Sequence, residues 1–284
     1  MTTETWLFFI EGALTIFVAV LAIFILPDFP TTTKWLTPQE RALALRRMEE
    51  DAAGMGDNDE DSSNNATALQ GLWMAVTDWR VWYMALALTS LTVALSFNAY
   101  FPTLTTTLGF NRTVSLLLCA PPFVFAAIVA FCLSRHSDRV QERFFHIAGS
   151  MGLGLVGFII AISTMNTAAR YISLFLMAQM YASLVVFLAW VSNSFPRPTA
   201  KRAVTLAVIN AFSQLGNIAG AYVWPSMWGM TYRNSYAICI SCTGTALVMC
   251  WVFRMELQRM NRKLEERERE ADVKGTGARF RYLL

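Results

Sequence analysis

Apolar residues in this chain fall in long unbroken runs, with the polar ones gathered between them. Neither the two-residue alternation of a half-wet strand nor the narrow stripe of a surface helix describes the pattern. Seven runs reach about 20 residues, the length whose helical rise crosses a hydrocarbon core; they cover residues 6–26, 81–101, 114–133, 144–165, 171–191, 203–224 and 236–253. Several contain glycine or proline (Pro121, Pro122, Gly149, Gly152, Gly154, Gly157, Gly216, Gly220). Membrane helices tolerate such residues because neighbouring helices re-satisfy the backbone. The pattern predicts an all-α membrane protein with seven transmembrane helices.

The polar segments divide the chain further: a first helix in residues 1–26, a central loop in 27–80, a six-helix bundle in 81–253 and a charged tail in 254–284. In the central loop, Thr37, Pro38 and Glu40 combine an N-cap, a first-turn proline and a capping-box glutamate. They predict a helix from Pro38 to about Asp51 with Leu43, Ala44 and Met48 on its apolar side. Residues 54–65, rich in Gly, Asp, Asn and Ser, have too little apolar surface to order themselves and read as a linker. Over 66–79, Leu69, Leu72, Trp73 and Val76 recur at helical spacing, as in an amphipathic helix lying in a membrane interface. The tail mixes Arg, Lys and Glu and reads as a solvated helix over 254–274.

Composition sharpens this picture. Hydrophobic residues make up 55% of the 284 positions and charged ones 15%, where a soluble domain carries about a quarter charged. Between Trp79 and Phe253 the only acids are Asp138 and Glu142. A soluble enzyme and a nucleic-acid binder are excluded, and a net charge of +3 is too small to point to a polyanion. Twenty of the 23 Lys and Arg residues fall in one alternate set of loops, leaving Arg112, Arg170 and Arg233 in the other. Positive charge accumulates on the cytosolic side, so the N-terminus is expected outside and the C-terminus in the cytosol. The first run is not preceded by a basic residue, contains Glu11 and lacks a small-residue cleavage site, so it reads as a retained helix and not as a signal peptide.

The five cysteines lie in apolar stretches and read as packing residues; the Cys239/Cys242 pair has no second pair beside it. His136 and His146, in a loop and at a helix start, read as solvated or capping groups. With no nucleophilic triad, phosphate-cradling loop or paired metal motif, the chain offers no catalytic residues and implies no cofactor or metal.

Polar side chains inside the runs are costly unless they face other helices or a watery cavity. Helical spacing puts Thr89, Thr92, Ser96 and Tyr100 on one face of the second run. Gln179, Ser183, Trp190 and Asn193 share a face of the fifth, and Asn210, Gln214 and Asn217 a face of the sixth. These residues either line a solute site or bond one another between helices. Hydroxyls can also bond their own helix backbone, whereas each primary amide needs several partners. Gly216 and Gly220 form G-x-x-x-G, a pattern of close helix contact. Asp138, among Arg135, Arg139 and Arg143 and between two helix ends, suits a charge-assisted latch. Glu11, near the outer end of the first run, reads as a structural or interfacial acid and not a coupling group.

Several stretches resemble one family. Trp6-Leu7-Phe8-Phe9-Ile10-Glu11-Gly12, then Leu26-Pro27-Asp28-Phe29-Pro30, then Lys34-Trp35-Leu36-Thr37-Pro38-Gln39-Glu40-Arg41 closely resemble fungal major facilitator permeases of the anion:cation symporter group. Ser137-Asp138-Arg139, Trp190-Val191-Ser192-Asn193, Lys201-Arg202-Ala203 and Asn217-Ile218-Ala219-Gly220-Ala221-Tyr222 agree with it. The resemblance implies that the chain begins at family helix six and continues through the C-terminal six-helix bundle, with helices one to five absent. It further implies proton-coupled symport of a small organic anion by alternating access in the plasma membrane, with helices seven and ten lining the central cavity and eleven beside them. On that footing Thr92, Ser96, Gln179, Trp190, Asn193, Asn210, Gln214 and Asn217 are the candidate substrate contacts, and Arg135, Asp138 and Arg139 the candidate latch. The cation expected for an anion is missing from these runs and would come from the absent half, so the chain alone is expected not to transport. Seven spans with an outside N-terminus also match a receptor layout, and a non-transporting regulatory fragment is a third reading.

Overall fold

The computed structural model of the protein describes residues 3–26, 31, 33, 36–53, 68–195, 199–271, 282 and 283. The chain divides into two compact units, Met1–Asp57 and Asn58–Leu284.

The first unit holds α1 (Thr3–Ile25) and α2 (Pro38–Ala53). α1 is 23 residues long, and its apolar stretch among the residues whose side chains are described is Phe9–Ile25. Glu11 lies exposed on it. The capping box forms at α2: the Thr37 N–H and hydroxyl donate to Glu40 Oε2 at 2.9 and 2.8 Å, and the Glu40 N–H donates to Thr37 Oγ1 at 3.3 Å. Those bonds, the backbone one foremost, favour the carboxylate and lower the Glu40 pKa. The expected linker at 54–65 lies outside the described residues.

The second unit is helical throughout its described residues. Its elements are α3 (Ala68–Val76), α4 (Trp79–Ala94), a 3₁₀ segment (Leu95–Tyr100), α5 (Phe101–Thr106), α6 (Arg112–Leu117) and α7 (Ala120–Val140), then α8 (Phe144–Ser163), α9 (Thr167–Ala178), α10 (Tyr181–Ser194), α11 (Thr199–Ala221), a 3₁₀ turn (Ser226–Thr231) and α12 (Arg233–Ala271). Joined end to end, they make six helices long and apolar enough to cross a membrane: Trp79–Thr106, Thr113–Val140, Phe144–Ser163, Thr167–Ser194, Ala200–Ala221 and Arg233–Glu266. The protein is an integral, multi-pass membrane protein with an all-helical fold. Three expected runs are discontinuous helices: α4 tightens into 3₁₀ geometry at Leu95, α6 stops at Leu117 before α7 begins at Ala120, and α9 stops at Ala178 before α10 begins at Tyr181.

α4 is the central element. It packs against both α11 and α12, and Val81, Met84, Ala85, Leu88 and Leu91 are buried along it. α8 lies against α9, α10 and α12, and α7 against α9 and α10. Large side chains close the middle, where Phe97 meets Phe158 edge-on at 5.9 Å and Phe101 lies 4.7 Å from Phe123. Only the inward faces are sealed: Val124, Ile128 and Phe131 on α7 are exposed, as apolar faces in lipid are. α3 follows the same rule. Gly71 and Ala75 are buried and Gly71 meets Ala200 of α11, while Leu69, Leu72, Trp73 and Val76 point away from the protein. That is the disposition of a helix lying in an interface. The expected tail is no separate element over its described length, because α12 runs unbroken from its membrane segment to Ala271.

Candidate functional site

One cavity of about 540 Å³ opens between α4 with its 3₁₀ continuation, α10 and α11. Thr92, Ser96, Asn98 and Tyr100 come from the first, Tyr181, Leu184 and Leu188 from the second, and Asn210, Ser213, Gln214 and Asn217 from the third. Its width depends on Gly216 and Gly220. A Cβ at Gly216 would stand 2.6 Å from the Thr89 carbonyl oxygen, and one at Gly220 would stand 2.5 Å from Ser96 Cβ. The G-x-x-x-G pattern thus brings α11 onto α4 at the level of the cavity.

The polar wall is a ladder of amides on α11. Asn217 Nδ2 donates to Gln214 Oε1 at 2.6 Å, and Gln214 Nε2 reaches Asn210 Oδ1 at 3.5 Å. Each amide has two donors and an acceptor oxygen, and all three residues are exposed, so the ladder retains hydrogen-bonding capacity for a solute. Trp224, which does not itself line the cavity, stacks on Tyr100 with centroids 5.8 Å apart and donates its indole N–H to Ser96 Oγ at 2.9 Å, holding two lining residues in place. Thr92 and Thr89 donate to the Leu88 and Ala85 carbonyls of their own helix at 2.8 and 2.7 Å, so these hydroxyls are occupied locally. Among the described residues the lining contains no Asp, Glu, Lys, Arg or His.

Five of the eight candidate contacts (Thr92, Ser96, Asn210, Gln214, Asn217) therefore share this cavity, and Gln179, Trp190 and Asn193 do not line it. Gln179 is buried and ties the α9–α10 break to α8. Its Nε2 donates to the Ser150 carbonyl at 2.9 Å, and its Oε1 accepts from Ser150 Oγ at 3.1 Å. Trp190 is buried edge-on against Phe253, and Asn193 is half-buried near the end of α10. Asn98, Tyr181 and Ser213 belong to the lining without having been expected there. The 3₁₀ segment, at three residues per turn, presents Asn98 where α-helical counting from Thr92 does not.

The candidate latch differs in its partner. Asp138 Oδ1 meets Arg143 Nη1 at 2.6 Å, while Arg135 and Arg139 are exposed and no ion pair joins them to Asp138 among the described residues. Arg143 is buried and also donates to Ser137 Oγ at 3.1 Å. The turn that brings it back passes through Gln141 in the left-handed region, φ 57°. Glu142 caps α8 by accepting the Phe145 N–H at 3.0 Å. His136 is exposed, as expected, but lies within α7 and not in a loop; its Nδ1 lies 2.6 Å from His146 Nε2, and His146 Nδ1 lies 3.1 Å from Glu142 Oε2. Among the described residues no group of three ligands suits a metal ion. All five thiols are free, with Cys239 and Cys250 buried.

A second ionic cluster was not legible in the sequence. Asp78 caps α4, accepts from Arg80 Nε at 3.0 Å and Nη2 at 2.9 Å, and accepts from Lys201 Nζ of α11 at 2.8 Å. The Phe195 ring lies 5.6 Å from Arg80 and 5.9 Å from Lys201. Burial alone would raise the Asp78 pKa, but the hydrogen bonds from Arg80 and Lys201 outweigh it and hold the carboxyl at about 2. The partners are 123 residues apart.

Residues 5–221 match the family described as the Major Facilitator Superfamily. An uncharacterized transporter of Schizosaccharomyces pombe is 27% identical over 265 residues, which is 92% of this chain and 52% of that protein. The MFS transporter prlL of Fungal sp. is 31% identical over 77% of this chain and 44% of its own length. A protein of Agrobacterium vitis provisionally named a tartrate transporter is 28% identical over 79% of this chain and 47% of its own. The chain spans about half the length of these relatives.

Proposed function

The chain belongs to the Major Facilitator Superfamily, and on that premise we propose that it is the C-terminal part of a fungal anion:cation symporter, starting at family helix six. On this reading α1 supplies a seventh crossing, its N-terminus faces outward, and the tail enters the cytosol from the plasma membrane. The cavity is one wall of a midplane site whose other wall belongs to an N-terminal bundle. Transport is proton-coupled symport of a small organic anion by rocking of the two bundles. The family match does not favour the receptor layout.

The observation that carries this reading is a cavity of about 540 Å³ among membrane-spanning helices, its lining mostly apolar but carrying the exposed amides Asn210, Gln214 and Asn217. The relative named for tartrate supports a small carboxylate as cargo. With no cation in the lining, the amides contact the uncharged polar edge of the substrate, and its counter-charge is supplied by the opposing bundle. Without that bundle the chain has a site wall and no alternating access.

Liposome reconstitution tests both halves of the proposal. The 284-residue chain alone is expected to show no proton-driven uptake of labelled organic acids. Joined behind the preceding helices of the Schizosaccharomyces pombe relative, it is expected to show such uptake, weakened about tenfold or more by Gln214→Leu. Uptake by the chain alone overturns the half-transporter reading. A folded fusion that imports no organic acid under any proton gradient overturns the symport reading.

A further inference from the structure

Beyond the cavity, residues 282 and 283 are held in a seat of their own. The Tyr282 backbone is read from both sides by Asn261: Asn261 Nδ2 donates to its carbonyl at 2.9 Å, and Asn261 Oδ1 accepts its N–H at 2.9 Å. An amide making both bonds to one residue's backbone imitates a strand partner, and it fixes that peptide's direction. The next carbonyl, of Leu283, accepts the Trp190 indole N–H at 3.0 Å. The Tyr282 ring packs half-buried against the core, and its hydroxyl is near enough to Arg80 and Asp78 to feel both charges.

The seat is shared by two elements with different freedom. Asn261 lies on α12, which is continuous from Arg233 to Ala271. Trp190 lies on α10, the half-span that begins after the break at residues 179–180 and carries Tyr181, Leu184 and Leu188 to the cavity. Three directed hydrogen bonds therefore link the half-helix bordering the cavity to the continuous helix, with residues 282 and 283 as the bridge.

We propose that residues 282–283 form an intramolecular strap that clamps the end of α10 to α12, and that its release frees α10 to move against the cavity. The occupant is this chain's own segment. The backbone pairing at Asn261 selects an extended peptide, and the aromatic ring with the following aliphatic residue suits the half-apolar seat.

Three forms of the chain in detergent test this by hydrogen–deuterium exchange: the whole chain, the chain lacking residues 282–284, and Asn261→Asp, which retains the acceptor but loses the donor. Exchange over residues 186–194 is expected to quicken several-fold on truncation and partway in Asn261→Asp, with residues 150–160 of α8 unchanged. A synthetic peptide of residues 279–284 is expected to restore protection to the truncated chain. The α8 segment also reports misfolding, and the Asn261→Asp chain, which keeps its full length, then decides alone. Unchanged exchange at 186–194 in both variants overturns the strap, as does a peptide without effect on a truncated chain whose α8 is intact. Protection that rises with protein concentration would put a second copy's segment in the seat and overturn the intramolecular form.

Discussion

Placing one methyl group at Gly216 should unseat α11 from α4. In Gly216→Ala the new carbon meets the Thr89 carbonyl oxygen at 2.6 Å, Thr92 Cβ at 3.0 Å and the Val93 nitrogen at 3.3 Å. Two of these atoms belong to the α4 backbone, which cannot swing aside, so the helices must separate by several tenths of an ångström along the wall of the cavity. Overpacking of this kind costs about 1–3 kcal/mol. At about 2–4 °C per kcal/mol for a domain of this size, the melting temperature should fall by roughly 5 °C. Cys239 and Cys250 are buried and free while Cys132 is exposed, so in a chain with Cys119, Cys132 and Cys242 replaced by Ala or Ser a thiol-reactive dye in detergent reports the transition. The control is Gly149→Ala on α8, where an added Cβ has nothing within 4 Å. There the usual gain of about 0.5–1 kcal/mol for Ala over Gly in a helix should hold the melting temperature level or raise it. If Gly216→Ala melts like Gly149→Ala, close contact at that glycine does not set the α4–α11 spacing.

Three further outcomes are expected. Asp78 has its pKa at about 2 against 3.8 unperturbed. A depressed carboxyl stabilises the fold above the unfolded pKa and loses that contribution as pH falls from about 4 toward 2, an effect of about 1–2 kcal/mol after allowance for solvent screening. The stability gap between wild type and Asp78→Asn should therefore close over that window, and a gap constant from pH 6 to pH 2.5 would contradict the assignment. Gln179→Leu should lower stability by about 1–2 kcal/mol, because it strips partners from buried Ser150, while leaving solute affinity of the fusion protein unchanged; a selective loss of affinity would move Gln179 into the site. Asp138→Asn and Arg143→Gln should both perturb transport by the fusion protein, Arg143→Gln the more because that buried side chain also bonds Ser137, and transport untouched by both would remove the latch.

Runs of apolar residues about 20 long can only be satisfied as helices in lipid, so the sequence alone already carried the membrane class and the helical fold. It also carried the α2 capping box, whose residues are three apart and whose bonds are local. The α11 amide ladder was legible for the same reason, since α11 is uninterrupted and its spacing of three and four survives folding. Tertiary structure decided the rest. The breaks at Leu95 and at residues 179–180 altered helical phase, which brought Asn98 and Tyr181 to the cavity and left Gln179 and Trp190 in packing roles. The Asp78–Lys201 pair joins positions 123 residues apart, and the seat of residues 282–283 joins positions 21 and 93 residues apart. Helical periodicity describes neighbours along one element, and only the packing of separate elements determines which distant side chains share a hydrogen bond.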